Sequence, residues 1–189
     1  MVARPQHDTH HRLFDTAFGV CGVAWTARGL KALQLPERDG VTTERRLAAK
    51  AGSTAATAPP PWVETLIADI RRFLAGERVE FSAVRVDLDQ VEPFRRNIYA
   101  ALRDVGFGRT TTYGELARRA GASEWQAARE VGDAMARNPA PLVIPCHRVL
   151  AADGKIGGFS AQGGSATKRR LLALEGVRLD GSEPRLPGL

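Results

Sequence analysis

A short apolar run bounded by prolines, Leu142-Val143-Ile144, is followed at once by Pro145-Cys146-His147-Arg148, and no other stretch constrains this chain as much. Three consecutive aliphatic residues read as buried backbone. Pro145 ends the run and fixes the main chain just before a cysteine. The chain therefore leaves a buried segment at a thiol, an imidazole and a guanidinium. A thiol is a strong nucleophile as thiolate, and nearby cationic or basic groups favour that form. Neighbouring side chains diverge, so His147 is expected to reach Cys146 through a water rather than directly. The alternative is a cysteine packed as a small hydrophobe, and Cys-His-Arg alone does not decide between the two.

The 189 residues suffice for one large domain or two small ones with a real core. Hydrophobic residues at 43% and charged residues at 25% are ordinary for a globular chain. Lys and Arg number 27 against 21 Asp and Glu, a net charge of +6. That surplus suits a polyanion such as nucleic acid, although a merely basic protein would show the same balance. Cys21 and Cys146 follow neither metal-ligand nor disulfide-scaffold spacing. The expected setting is a reducing, cytoplasmic one. The N-terminus lacks an apolar signal core, and no segment is long and apolar enough to span a bilayer. His7, His10 and His11 read as part of a solvated polar tail; with Cys21 they fit no compact zinc motif, so neither metal nor cofactor is expected. Cys21 itself lies in an apolar run and reads as core.

Three short strands are expected over Leu13–Phe18, Val20–Thr26 and Leu30–Leu35, and a short helix over Val41–Lys50. Residues 51–61 read as a linker. Val63, Leu66, Ile67, Ile70, Phe73 and Leu74 recur at three-and-four spacing and predict an amphipathic helix over Trp62–Leu74. Val79–Leu88 alternates enough for a further strand. Pro93–Val105 predicts a helix with Phe94, Ile98 and Leu102 on one face. Thr112-Tyr113-Gly114-Glu115 and Ser123-Glu124-Trp125-Gln126 are two capping boxes. They open helices ending near Ala120 and Arg137, joined by a glycine turn at Gly121: a helix-turn-helix pattern. Arg118, Arg119, Arg129 and Arg137 decorate the pair, and Ala127 and Ala128 would let the second backbone approach a groove. The bland reading is a solvated charged face.

The longer pattern, Asn138-Pro139-x-Pro141-x-x-Ile144-Pro145-Cys146-His147-Arg148-Val149, resembles the active-site signature of the O6-alkylguanine-DNA alkyltransferases, and the likeness runs from about Phe94 to Gly176. It implies an α/β (α+β) fold: an N-terminal strand-and-helix scaffold (1–88), a mainly helical domain resembling a winged helix-turn-helix (89–178) and a flexible tail (179–189). It implies a suicide enzyme that binds duplex DNA, flips O6-alkylguanine out of the helix and moves the alkyl group irreversibly to Cys146. By that likeness Glu175 orients His147, which draws the thiol proton through water. Tyr113 stands near the flipped base, and Asn138 ties the second helix to the cysteine turn. Arg129 fills the gap in the stack, with Ala127, Ala128, Arg118 and Arg137 along the DNA. Val149, Phe159, Ser160 and Arg148 border the substrate pocket, the first and third through backbone groups. The implied protein is a monomer; assembly along DNA is left open.

Some residues depart from the family pattern. Phe159 stands where tyrosine is common, Ala161 and Gln162 lengthen the glycine-rich loop, Gly106-Phe107-Gly108 replaces a proline-containing turn, and Glu130 adds a negative charge to the DNA helix. Rival readings are a binder without alkyl transfer, either a damage sensor or a helix-turn-helix regulator, and a thiol hydrolase. Cys146 argues against the sensor, and the absence of an evident oxyanion motif argues against the hydrolase.

Overall fold

The computed structural model describes residues 8–53, 55–121 and 127–179. The capping box expected at Ser123–Gln126, the end of the chain from Asp180 and His7 lie outside the described residues.

Strands β1 (His10–Thr16), β2 (Gly19–Thr26) and β3 (Gly29–Gln34) form an antiparallel meander. Alternation along β2 sends Cys21, Val23 and Trp25 to one face and Ala24 to the other. Helix α1 (Gly40–Ala51) covers the second face, where Leu47 and Ala51 meet Ala24 and Ala32. Asp39 caps α1 by accepting the Thr42 N–H at 2.7 Å. The expected linker contains a two-residue strand, β4 (Ala55–Ala56), which pairs in parallel with β1 and makes the sheet order β3-β2-β1-β4. His10 and His11 therefore belong to a strand rather than a solvated tail. Ring nitrogens of His11 lie 2.8 Å from Ser53 Oγ and 3.1 Å from Glu44 Oε1.

Helix α2 (Pro61–Leu74) covers the other face and buries the six apolar residues that the periodicity singles out. Pro61 opens it at the turn where a missing N–H costs nothing. Each fully buried aliphatic or aromatic side chain contributes about 1.5–3 kcal/mol, so this helix is a main anchor of the first half. Residues 79–88 do not form the expected strand. The segment touches the sheet at one parallel bridge, Leu30 to Val86. Carbonyls of Ser82 and Val84 instead accept the Arg103 guanidinium at 2.8 and 2.6 Å. A side chain from a distant helix thus replaces the ladder.

Helix α3 (Pro93–Arg103) starts on Glu92, whose carboxylate accepts the Phe94 and Arg95 N–H groups. β5 (Thr111–Thr112) leads into α4 (Tyr113–Arg119) through the expected capping box, with both of its hydrogen bonds formed. After the turn comes α5 (Ala127–Ala136), which packs on α3 and α4. The Tyr99 hydroxyl donates to Ala134 O at 2.9 Å and pins α3 to α5. The turn Cys146–Arg148 passes into β6 (Val149–Leu150), which pairs in parallel with β5. Helix α6 (Gly164–Leu174) closes the described chain and buries Leu171 and Leu172. One apolar cluster runs from β2 and α2 through α3, α5 and the cysteine turn to α6. The Leu33 N–H donates to Pro139 O at 2.9 Å, so the sheet edge is fastened directly to the turn that carries the cysteine.

Candidate active site

The segment between α5 and Cys146 is held by one side chain. Asn138 donates from Nδ2 to Ile144 O at 2.7 Å and accepts the Ala140 N–H at Oδ1, 3.0 Å away. Both atoms are buried, so each bond satisfies a group that water cannot reach. Between them Leu142 takes a left-handed conformation, φ 72°, which a branched residue adopts only where its surroundings enforce it. Pro145 then sits at φ −80°, ψ 66°, and the Cys146 N–H donates to Ile144 O at 2.8 Å. Those angles are an inverse γ-turn. The proline, the asparagine and the apolar run thus act together to turn the backbone sharply at Cys146.

The turn sends three consecutive side chains in different directions. Cys146 forms part of the wall of a cavity of about 280 Å³, bordered also by Tyr113, Gly132, Met135, Phe159 and Ser160. That volume is close to the ~300 Å³ lower end of small-molecule pockets. His147 points inward: its Nε2–H donates to Glu175 Oε1 at 2.8 Å, while Nδ1 has no hydrogen-bond partner among the described residues. Arg148 is not on the cavity wall, contrary to the expectation from the motif. Its guanidinium is buried and clamps Glu175, with Nε 3.0 Å from Oε2 and Nη2 2.8 Å from Oε1, and it donates to Val105 O as well. Consecutive residues of a tight helical turn diverge, so adjacency in sequence did not mean adjacency in space.

Glu175 follows α6 and accepts from a third partner, the Gly108 N–H at 3.1 Å. Gly108 stands at φ +71°, and a Cβ there would lie 3.0 Å from Glu175 O. The unusual Gly-Phe-Gly stretch therefore supplies a close backbone approach to the buried carboxylate. Burial alone would raise the Glu175 carboxyl, but hydrogen bonds from His147 and Arg148 outweigh it and hold the group down to about 2. Glu175 is thus a fixed anion whose charge is matched on the Arg148 side.

Burial pulls His147 below its ordinary value despite the Glu175 bond, so the ring rests neutral. Burial likewise pushes the Cys146 thiol up, opposed by hydrogen bonding from Asn138 and by the Lys168 and Lys50 ammonium groups. The sequence suggested a thiolate favoured by neighbouring cations. The structure gives a resting neutral thiol, because desolvation disfavours the charged form more than those cations help it. Tyr113, at the start of α4, has its hydroxyl raised by burial and then by the neighbouring Cys146. Gly157 lets the glycine-rich loop lie against that ring: a Cβ there would meet the hydroxyl at 3.2 Å.

Val149 is fully buried beyond the cavity wall, and its carbonyl accepts the Lys168 ammonium. Sequence reasoning missed Lys168, although the signal was present: it shares the apolar face of α6 with Leu171 and Leu172 at three-and-four spacing. It also missed Lys50, which α1 brings to the cysteine from the half read as pure scaffold. Arg118, Arg129 and Arg137 are exposed. Arg137 pairs with Asp133 at 3.1 Å, and Asp133 also binds Arg95 at 2.7 Å. Ala127 and Ala128 lie in the first turn of α5, their side chains outside the described residues. No group of three or more His, Cys, Asp or Glu that could hold a metal occurs among the described residues, and no helix among them is long and apolar enough to cross a membrane.

Residues 93–177 match the family described as 6-O-methylguanine DNA methyltransferase, DNA binding domain. A methylated-DNA–protein-cysteine methyltransferase of Methanothermobacter thermautotrophicus is 41% identical over 143 residues, 76% of this chain and 78% of that protein. The mouse protein of the same name is 35% identical over 88% of this chain and 81% of its own length. The crystal structure of Mycobacterium tuberculosis OGT in complex with DNA superposes with a TM-score of 0.69 at 33% identity, covering 88% of this chain and 92% of that one. Fold, site and likeness together define a DNA-binding repair enzyme that works by alkyl transfer. The chain belongs to the methylated-DNA–protein-cysteine methyltransferase family.

Proposed function

We propose that this protein binds duplex DNA, draws an O6-alkylguanine into the cavity beside Cys146, and takes the alkyl group irreversibly onto the Cys146 sulfur. The observation that carries the reading is Cys146 on that cavity's wall with the His147–Glu175 pair behind it. Because Nε2–H is committed to Glu175, the free lone pair of the neutral ring is on Nδ1. Nδ1 draws the thiol proton through a water as sulfur attacks the alkyl carbon, and the Glu175 carboxylate stabilises the imidazolium. The C–O6 bond breaks as the S–C bond forms. The Tyr113 hydroxyl, on the same cavity, donates to the departing guanine so that it need not leave as an anion. A thioether has no easy leaving path, so each molecule acts once.

Arg129, Gly132 and Met135 follow one another at three-residue spacing on α5, and the latter two border the cavity. Arg129 therefore stands one turn from the cavity, where its side chain fills the gap left in the stack, with the first turn of α5 along the groove and Arg118 and Arg137 at phosphates. Ser160, on the cavity wall, meets the guanine edge through its backbone, Val149 stands behind that wall with its carbonyl on Lys168, and Arg148 holds Glu175. Residues 89–178 carry this chemistry, 1–88 support it, and 179–189 take no part. The working unit on this reading is a monomer, active on DNA in the cytoplasm. The test is intact mass after incubation with O6-methylguanine duplex. The protein gains one methyl group at Cys146 stoichiometrically, and Cys146→Ala gains none; tight binding with no mass change would overturn the reading.

A further inference from the structure

Cys146 borders a second cavity, of about 250 Å³, on the side facing the N-terminal half. Phe159, Ser160 and Ala136 belong to both cavities, so the two meet at the sulfur. The second cavity differs in charge. From the N-terminal half it receives Gln34, Arg46 and Lys50, and among the described residues no acidic side chain borders it. Arg46 is already matched, its Nη1 lying 3.1 Å from Glu37 Oε1. Lys50 forms no ion pair among the described residues: its ammonium donates a long hydrogen bond to Leu33 O at 3.3 Å, and the Glu37 carboxylate, held by Arg46, acts on it only at a distance. It is exposed to solvent at the cavity mouth, and desolvation nonetheless pulls its ammonium below the ordinary lysine value. Lys50 and Cys146 line the same cavity, where a thiolate would favour the charged lysine and the charged lysine the thiolate.

A base seated in the first cavity with O6 toward the sulfur would project the rest of its substituent past the sulfur into the second. Resting on the reading above, we propose that this second cavity is a subsite for anionic O6-substituents, with Lys50 as the partner of a carboxylate, as in O6-carboxymethylguanine. An anionic substituent is otherwise a poor substrate for a sulfur nucleophile, because two negative charges approach within a few Å in a poorly solvated site. The Lys50 ammonium relieves that repulsion while binding the carboxylate by a charge-assisted hydrogen bond. The step balances as for methyl: the S–C bond forms, the C–O6 bond breaks, and the thiol proton passes by way of His147 and Tyr113 to the guanine. The products are S-carboxymethylcysteine at position 146 and guanine.

The test compares single-turnover rates on duplexes carrying O6-methylguanine, O6-carboxymethylguanine and its neutral carboxamide analogue. The wild type should transfer the carboxymethyl group about tenfold faster than the carboxamide, the gain expected of one partly solvated charge-assisted bond. Lys50→Gln should erase that ratio and Lys50→Arg should keep it. A charge-blind wild type overturns the proposal. So does a Lys50→Gln variant slowed equally on all three duplexes, since the lysine would then act only through the sulfur. DNA phosphate is the other anion Lys50 could meet. Binding of undamaged duplex by Lys50→Gln should keep the wild-type salt dependence, and a slope shallower by about one contact overturns the lesion assignment. Failure of methyl transfer by the wild type would instead sink the alkyl-acceptor reading itself.

Discussion

The two cysteines of this chain are both buried, and burial raises the pKa of both thiols. Cys21 sits in the strand core, fully covered, pushed up to about 12, with the Thr16 hydroxyl 3.7 Å from its sulfur. Cys146 is almost as covered, yet it borders two cavities, has an asparagine and two lysines around it, and is followed by the His147–Glu175 pair. Protonation at rest therefore does not separate an inert thiol from a reactive one. Access for a substrate atom does, together with a proton acceptor held ready nearby. A neutral thiol beside a neutral imidazole also avoids placing charges in a desolvated site before the substrate arrives.

The comparison breaks most sharply under substitution of the thiols themselves. Cys146→Ala should abolish alkyl uptake, whereas Cys21→Ala should keep full stoichiometry, both read by peptide mass mapping. Next in size, His147→Ala should slow single-turnover transfer by roughly 10²–10⁴, the range for a lost general base. A smaller loss, about 10², is expected for Tyr113→Phe, confined to the rate and absent from DNA affinity. Arg148→Met leaves the Glu175 anion buried without its main partner and should cost about 3–5 kcal/mol in denaturant unfolding. Acid should show the same pair. The folded Glu175 carboxyl, near 2, lies below its unfolded value of about 4.3. Its stabilisation is thus complete above the unfolded value and is lost as pH falls toward the folded one. Glu175→Gln should flatten that acid limb. The smallest effect is on Cys21→Ala itself, about 1 kcal/mol of stability from a small core cavity.

Much of the site could be read before the fold was known, because local chemistry specifies it. Pro145 and Cys146 are adjacent, and the proline's backbone role follows from its place in the run, whereas the role of Asn138 came from the likeness to the alkyltransferase signature. The Thr112–Glu115 capping box and the apolar stripe of α2 are equally local, and both formed as expected. What could not be read depends on direction or on distant partners. Arg148 looked like a pocket residue until the turn aimed it at Glu175. Lys50 was only the last residue of an expected helix until α1 brought it to a cavity that Cys146 borders. Residues 79–88 alternate like a strand, but the Arg103 guanidinium captures their carbonyls. His10 and His11 looked like tail because β4, their partner, is two residues long and hidden in a linker rich in small residues.

The central claim is that Cys146 rests as a neutral thiol and loses its proton only to the His147–Glu175 pair during attack. It is tested most directly by titrating isotopically labelled Cys146 by NMR in a Cys21→Ala background. The account predicts a midpoint above the ordinary thiol value of 9.0, with rates of alkyl transfer showing no inflection at the thiol's ordinary value. A thiolate already formed near neutral pH would contradict it.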